Sequence, residues 1–206
     1  PVYEVALTGA PRDRWNIAVG ADHKFLTVTP RAVDRGISSQ DFFARVAYWF
    51  DARTSVNLRF DQRLWSDSNR SVQGEGAVTR NLIYGKPFNL DTGGLTHQQA
   101  FRRDMLALSG FFTPDHYSRY NGFLDAHGEL KKVTWEIRGE GGTQQITSAS
   151  GFEPNWSVTA RASMRLGESL WLYGSYERKN YSLLSRDGWY QGFYVSLAVE
   201  PALAIR

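Results

Sequence analysis

Residues able to do chemistry are few in this sequence, and they are mostly histidines beside acids. Asp115-His116 follows Pro114, and Asp125 and His127 stand two positions apart. An Asp–His pair can activate water or a serine hydroxyl. In an extended strand, however, adjacent side chains point to opposite faces, so Asp115 and His116 diverge; Asp125 and His127 share a face about 7 Å apart at the backbone. His23, His97, His116 and His127 have no metal-ligand spacing. The chain has no cysteine, which removes disulfides, thiolate zinc sites and cysteine nucleophiles, and fits an extracytoplasmic compartment. Gly139-Glu140-Gly141-Gly142 lacks the Lys-Ser/Thr of a phosphate loop and continues a strand; Gly74-Glu75-Gly76 behaves likewise. The expectation is therefore no catalytic residue, no metal and no cofactor.

The elements that would position any site follow a period of two. Val56, Leu58, Phe60 and Leu64 fall on one face, with Asn57, Arg59, Asp61 and Arg63 on the other. Val133, Trp135 and Ile137 oppose Thr134, Glu136, Arg138 and Glu140. Trp156, Val158, Ala160, Ala162, Met164 and Leu166 oppose Ser157, Thr159, Arg161, Ser163 and Arg165. Further runs start at Tyr3, Trp15, Phe42, Arg103, Tyr117, Leu170 and Trp189. Short turns are expected at Asp51 to Thr54, Lys131-Lys132 and Gly167 to Ser169. Longer polar connections are expected from Pro30 to Gln40, Asp67 to Gly76, Pro87 to Gln99, Thr147 to Pro154 and Ser182 to Gly188. Leu95 to Arg103 could form a short helical turn capped by Thr96.

The fold class read from this pattern is all-β: an antiparallel up-and-down transmembrane β-barrel of about ten to twelve strands, occupying 1–206 as a single domain. Many strands reach the roughly 9–11 residues that a tilted crossing of a bilayer requires. The 206 residues carry 24 Lys+Arg against 21 Asp+Glu, with the signs interspersed and no concentrated basic stripe, so no nucleic-acid partner is expected. No apolar run is long enough for a membrane-spanning helix, the longest being Val46 to Phe50. The opening at Pro1 shows no signal peptide, so the chain is expected to be mature or a part of something longer.

A soluble barrel would show the same alternation with its apolar face inward. The aromatic residues favour the membrane. Trp15, Trp49, Trp65, Trp135, Trp156 and Trp189 lie near strand ends, where an apolar ring with a polar tip suits the headgroup level. The end of the chain, Pro201 to Arg206, lacks the terminal aromatic residue common in bacterial barrels.

Phe111 to Tyr120 (FFTPDHYSRY) resembles the F-[ST]-P-x-x-Y element in the C-terminal barrels of exopolysaccharide exporters, the outer-membrane subunits for cellulose and poly-N-acetylglucosamine. Val28 to Val33, Leu64 to Asn69, Trp156 to Leu166 with Leu170 to Tyr181, and Gly188 to Val195 fit the same pattern. The resemblance implies a bacterial outer-membrane location and a passive conduit for a secreted polysaccharide. It also implies membrane lipids as surroundings, a periplasmic helical-repeat region ahead of the barrel, and an inner-membrane synthase that drives the polymer. The barrel of such proteins is larger than this chain would build.

On this reading the pore-lining, polysaccharide-binding candidates are Arg59, Asp61, Arg63, Asp125, Glu129, Glu136, Arg138, Glu140, Arg161 and Arg165, with Trp171 and Tyr173 as an aromatic platform. More than half of the charged ones are expected merely to brace the wall through salt bridges. Three alternatives make distinct demands. A barrel hydrolase needs His116 or His127 within hydrogen-bond reach of a Ser or Asp at the rim. A receptor or adhesin needs a plugged lumen with its charges paired. A soluble barrel or sandwich needs Val56, Leu58 and Phe60 buried against a second sheet.

Overall fold

The computed structural model describes residues 3–25, 33, 34, 36–103, 114–167, 169–180 and 190–199. Alternating side chains make strands, and the strands are β1 (Tyr3–Gly9), β2 (Trp15–Phe25), β3 (Ser38–Trp49), β4 (Thr54–Trp65), β5 (Arg70–Ile83), β6 (Phe88–Phe101), β7 (Tyr117–Leu130), β8 (Val133–Gln145), β9 (Glu153–Arg165), β10 (Leu170–Lys179) and β11 (Tyr190–Val199). They form one sheet of 11 strands in sequence order. Each pair of neighbours is antiparallel. The meander and strand number agree with the expected fold class.

Two expected loops are strands. Asp67 to Gly76 lies mostly in β5, and Pro87 to Gln99 mostly in β6. The helical turn expected at Leu95 to Arg103 is also β6 for most of its length. Gly74, Gly76 and Gly94 interrupt the apolar rows of these two strands, so the hydrophobic signal fades although the ladders are continuous. The real β4–β5 connection is the tight turn 66–69, where Ser68 has a positive φ of 65°. Asn69 pins that turn: its Nδ2 donates to the Arg103 carbonyl at 2.9 Å, and its Oδ1 accepts from the Arg70 and Arg103 amides. The expected loop from Ser182 to Gly188, the run starting at Arg103 beyond its first residue, and Trp189 lie outside the described residues, as does part of Pro30 to Gln40.

The connections β1–β2, β3–β4, β5–β6, β7–β8 and β9–β10 are short and share one end; the tight β4–β5 turn lies at the other. Lys131-Lys132 alone joins β7 to β8, with Lys131 at a φ of 57°. In the β3–β4 turn the Arg53 amide donates to Asp51 Oδ1 at 2.7 Å, which holds the Asp51 carboxyl below its usual range. The β6–β7, β8–β9 and β10–β11 connections, all longer, share the opposite end.

Curvature assigns the faces. Asn16 on β2 and Arg138 on β8 line one cavity, so the sheet curls around an interior. Leu58 is 52% and Phe60 50% exposed on the outer face, whereas Asp61 is 1% exposed on the inner one. Apolar rows thus look out and charged rows look in, opposite to a water-soluble core. Trp15 against Tyr48 and Phe88 against Trp135 make outer aromatic contacts at the short-turn end; Tyr120 against Phe152, with Trp156 nearby in sequence, does so towards the other. Trp65 corrects the girdle expectation: it turns inward, packs with Ile37 and Phe101, and donates Nε1–H to Ser71 Oγ at 3.1 Å.

Candidate functional site

All twelve candidate lining residues sit on the inner face, because the cross-strand register keeps them in phase. Asp125 pairs with Arg138, Glu136 with Arg161, Ser175 with Arg161, and Arg165 with Trp171. They do not form one site. Asp125, Glu129, Glu136, Arg161 and Tyr173 line a cavity of about 830 Å³ towards the short turns. Arg59, Arg138 and Glu140 line a second of about 740 Å³. Asp61 faces inward but is covered by its neighbours, and Arg63 is committed to the buried Asp41 at 2.9 Å. Trp171 and Tyr173 stack at 6.3 Å between ring centres; Arg165 lies over the Trp171 ring at 5.9 Å.

Many inner charges brace the wall. Arg59 donates Nε–H and Nη2–H to Asp61 at 2.6 and 2.7 Å, a two-pronged bond. Arg138 reaches Glu140 at 2.8 Å and Asp125 at 3.5 Å, while its guanidinium lies 4.0 Å from the Phe123 ring centre. Asp41 takes both Arg63 and Lys24. Small residues let this layer close. Gly20 faces Phe43 and Gly93 faces Phe123 across their ladders, and a Cβ at Gly93 would lie 2.8 Å from that ring.

Several inner residues escaped the sequence reading. Arg45, Glu75, His97 and Arg119 line the second cavity, and Glu75 accepts from Gln73 Nε2 at 2.7 Å while lying 3.1 Å from His97 Nδ1. The available signal was parity: Gln73, Glu75, Ala77 and Thr79 alternate with Val72, Gly74, Gly76 and Val78. The glycines hid it.

The histidines divide. His127 Nδ1 lies 3.7 Å from Asp125 and 3.9 Å from Asp91, both beyond a hydrogen bond. His116 Nε2 lies 2.6 Å from Ser118 Oγ, the contact that the hydrolase alternative demands. Yet Ser118 is 2% exposed, and its Oγ also meets Gln98 Oε1 at 2.5 Å. Asp115 does not orient the imidazole; it binds the Ser148 hydroxyl and amide in the β8–β9 connection, which holds its carboxyl below the usual range. No group of three or more potential metal ligands gathers among the described residues.

No family model and no curated protein matches the chain. Solved structures do. A bacterial polysaccharide outer membrane secretin superposes with a TM-score of 0.75 at 12% identity, over 94% of this chain and 67% of that one. A KdgM porin in complex with disordered oligogalacturonate superposes with a TM-score of 0.49 at 11% identity, over 96% of this chain and 90% of that one. The chain shares the antiparallel barrel fold of outer-membrane proteins.

Proposed function

We propose that this chain forms the wall of an outer-membrane channel through which a polysaccharide or oligosaccharide passes without covalent chemistry. One observation carries the reading: apolar rows face outward while charged and hydroxyl-bearing rows face two inner cavities. In lipid every backbone polar group must be paired, and the antiparallel ladders that run from β1 to β11 meet that demand everywhere but at the outer edges of those two strands. Passage requires weak contacts at several places, since deep affinity would arrest the polymer. The stacked Trp171–Tyr173 pair, beside hydroxyls and mixed charges, offers contacts of that kind. Passive export of a secreted polysaccharide, with a periplasmic helical-repeat region and an inner-membrane synthase as partners, is the finer form of this proposal; it rests on the resemblance of FFTPDHYSRY and the other short elements.

The test is electrophoretic and electrical. The protein in detergent should change gel mobility on boiling, and in planar bilayers it should conduct ions and be blocked transiently by oligosaccharides. A monodisperse, detergent-free protein in plain buffer overturns the proposal. A second reading, a serine hydrolase at the rim, draws on the Ser118–His116 contact. It requires labelling of Ser118 by a fluorophosphonate; the channel reading expects none.

A further inference from the structure

Charge is unevenly shared between the two cavities. Four arginines, Arg45, Arg59, Arg119 and Arg138, line the smaller one. Four carboxylates serve them or their neighbours. Asp61 is taken by Arg59, Asp125 and Glu140 by Arg138, with Arg119 3.9 Å from Glu140, and Glu75 by His97 and Gln73. Arg45 is left over. Among the described residues it has no carboxylate partner; its guanidinium lies 4.5 Å from the centre of the Phe43 ring, and the side chain is exposed to the interior. A ring face steadies a cation without neutralising it.

Arg45 also stands directly opposite Arg59 in the β3–β4 ladder. Like charges directly opposite repel. The two-pronged bond to Asp61 uses Nε and Nη2 of Arg59 and leaves Nη1 outside it. Arg45 and Arg59 thus stand side by side on the inner face; Arg59 is served by Asp61 and flanked by Glu75 on its other side, while among the described residues no carboxylate serves Arg45.

We propose that this position binds the acid group of an acidic sugar, a uronic carboxylate in the transported polymer, with Arg45 and Arg59 as its two donors. The inference rests on the channel reading and names the substrate class for it. A carboxylate accepts from two guanidinium edges and removes their repulsion. The larger cavity is lined by Asp125, Glu129 and Glu136 against Lys86 and Arg161, so it repels the same group. An acidic chain then meets one attractive position beside a weakly repulsive stretch, which permits binding without arrest.

The full-length protein in planar bilayers tests this with three probes: an oligogalacturonide, a neutral oligoglucan of equal length, and inorganic phosphate. The acidic oligosaccharide should half-block the current at about tenfold lower concentration than the neutral one, the size of one charge-assisted hydrogen-bonded contact. Arg45→Gln breaks no ion pair among the described residues and should abolish most of that preference. Arg45→Lys should retain part of it. Equal blocking by both sugars, or an unchanged preference in R45Q, overturns the acidic-sugar site and leaves the channel reading standing. Displacement of the acidic sugar by phosphate at equal concentration assigns the position to free anions and overturns it too. Absence of any block by either sugar removes the channel reading and the site together.

Discussion

The wall from β3 to β8 and the wall formed by β9 to β11 with β1 share one topology but differ in what lies behind the backbone. In the first, Asp41, Asp61, Gln73, Gln99, Tyr117 and Asn121 form a buried polar layer stapled by arginines and by ring-over-glycine contacts. In the second, every residue of β1 is exposed, and Phe193, Tyr194, Val195 and Leu197 of β11 are open on both faces. Among the described residues β1 and β11 each have one hydrogen-bonded neighbour in the sheet order. Both run from the long-loop end to the short-turn end, so a ladder directly between them would be parallel, unlike all the others. Antiparallel closure calls for an odd number of strands between them. The contrast teaches that strand pairing, which both walls possess, does not by itself bring an inner layer of ion pairs and buried polar contacts.

Asp41→Ala should separate the walls most sharply. It strips the partner from Arg63 and Lys24 in a layer where Asp41 is 1% exposed, and should cost about 3–5 kcal/mol. Glu177→Gln, which removes the 3.0 Å pair with Lys179 on the sparse wall, should cost less than about 1 kcal/mol. Urea unfolding in detergent, followed by tryptophan fluorescence, measures both; equal losses would dissolve the contrast.

Leu58→Arg tests the outward face of the braced wall. A charge there should cost about 2–4 kcal/mol if the residue meets lipid, seen as a lost shift in gel mobility between unboiled and boiled samples. A soluble surface would tolerate it.

Gly93→Val drives a side chain into the Phe123 ring and disturbs the Arg138 contact upon it, so a loss of about 1–3 kcal/mol is expected in chemical denaturation. The opposed glycine of the sparse wall, Gly174, has open space where a Cβ would stand, and G174A should be nearly silent.

The smallest effect concerns the loops. The Asp115 carboxyl is held below its usual range by Ser148, so its link to the β8–β9 connection is present above the unfolded carboxylate range and is lost as pH falls through the lowered folded value. Protection of the Ser148 amide from hydrogen exchange, taken relative to its intrinsic rate at each pH, should fall only in that acid window. A protection factor that is flat with pH would show the link to be idle.

Much of this could be read before any coordinates. Val56 to Leu64, Val133 to Ile137 and Trp156 to Leu166 announce their strands because apolar and polar side chains alternate without interruption. β5 and β6 stayed hidden because glycine, threonine and glutamine occupy their outer positions, and a glycine carries no side chain with which to mark a face. Parity within each strand set the candidate residues on one side of it, and the register, shifted once between Asn81 and Ile83, carries that side from strand to strand. Only tertiary structure decided which side was the interior, since alternation is symmetric and curvature breaks the symmetry. Tertiary structure likewise decided that Asp61 is sealed, that Trp65 turns inward, and that Arg45 alone faces the smaller cavity without a carboxylate among the described residues. Which acid meets which arginine depends on the cross-strand neighbour, and that neighbour lies tens of residues away along the chain.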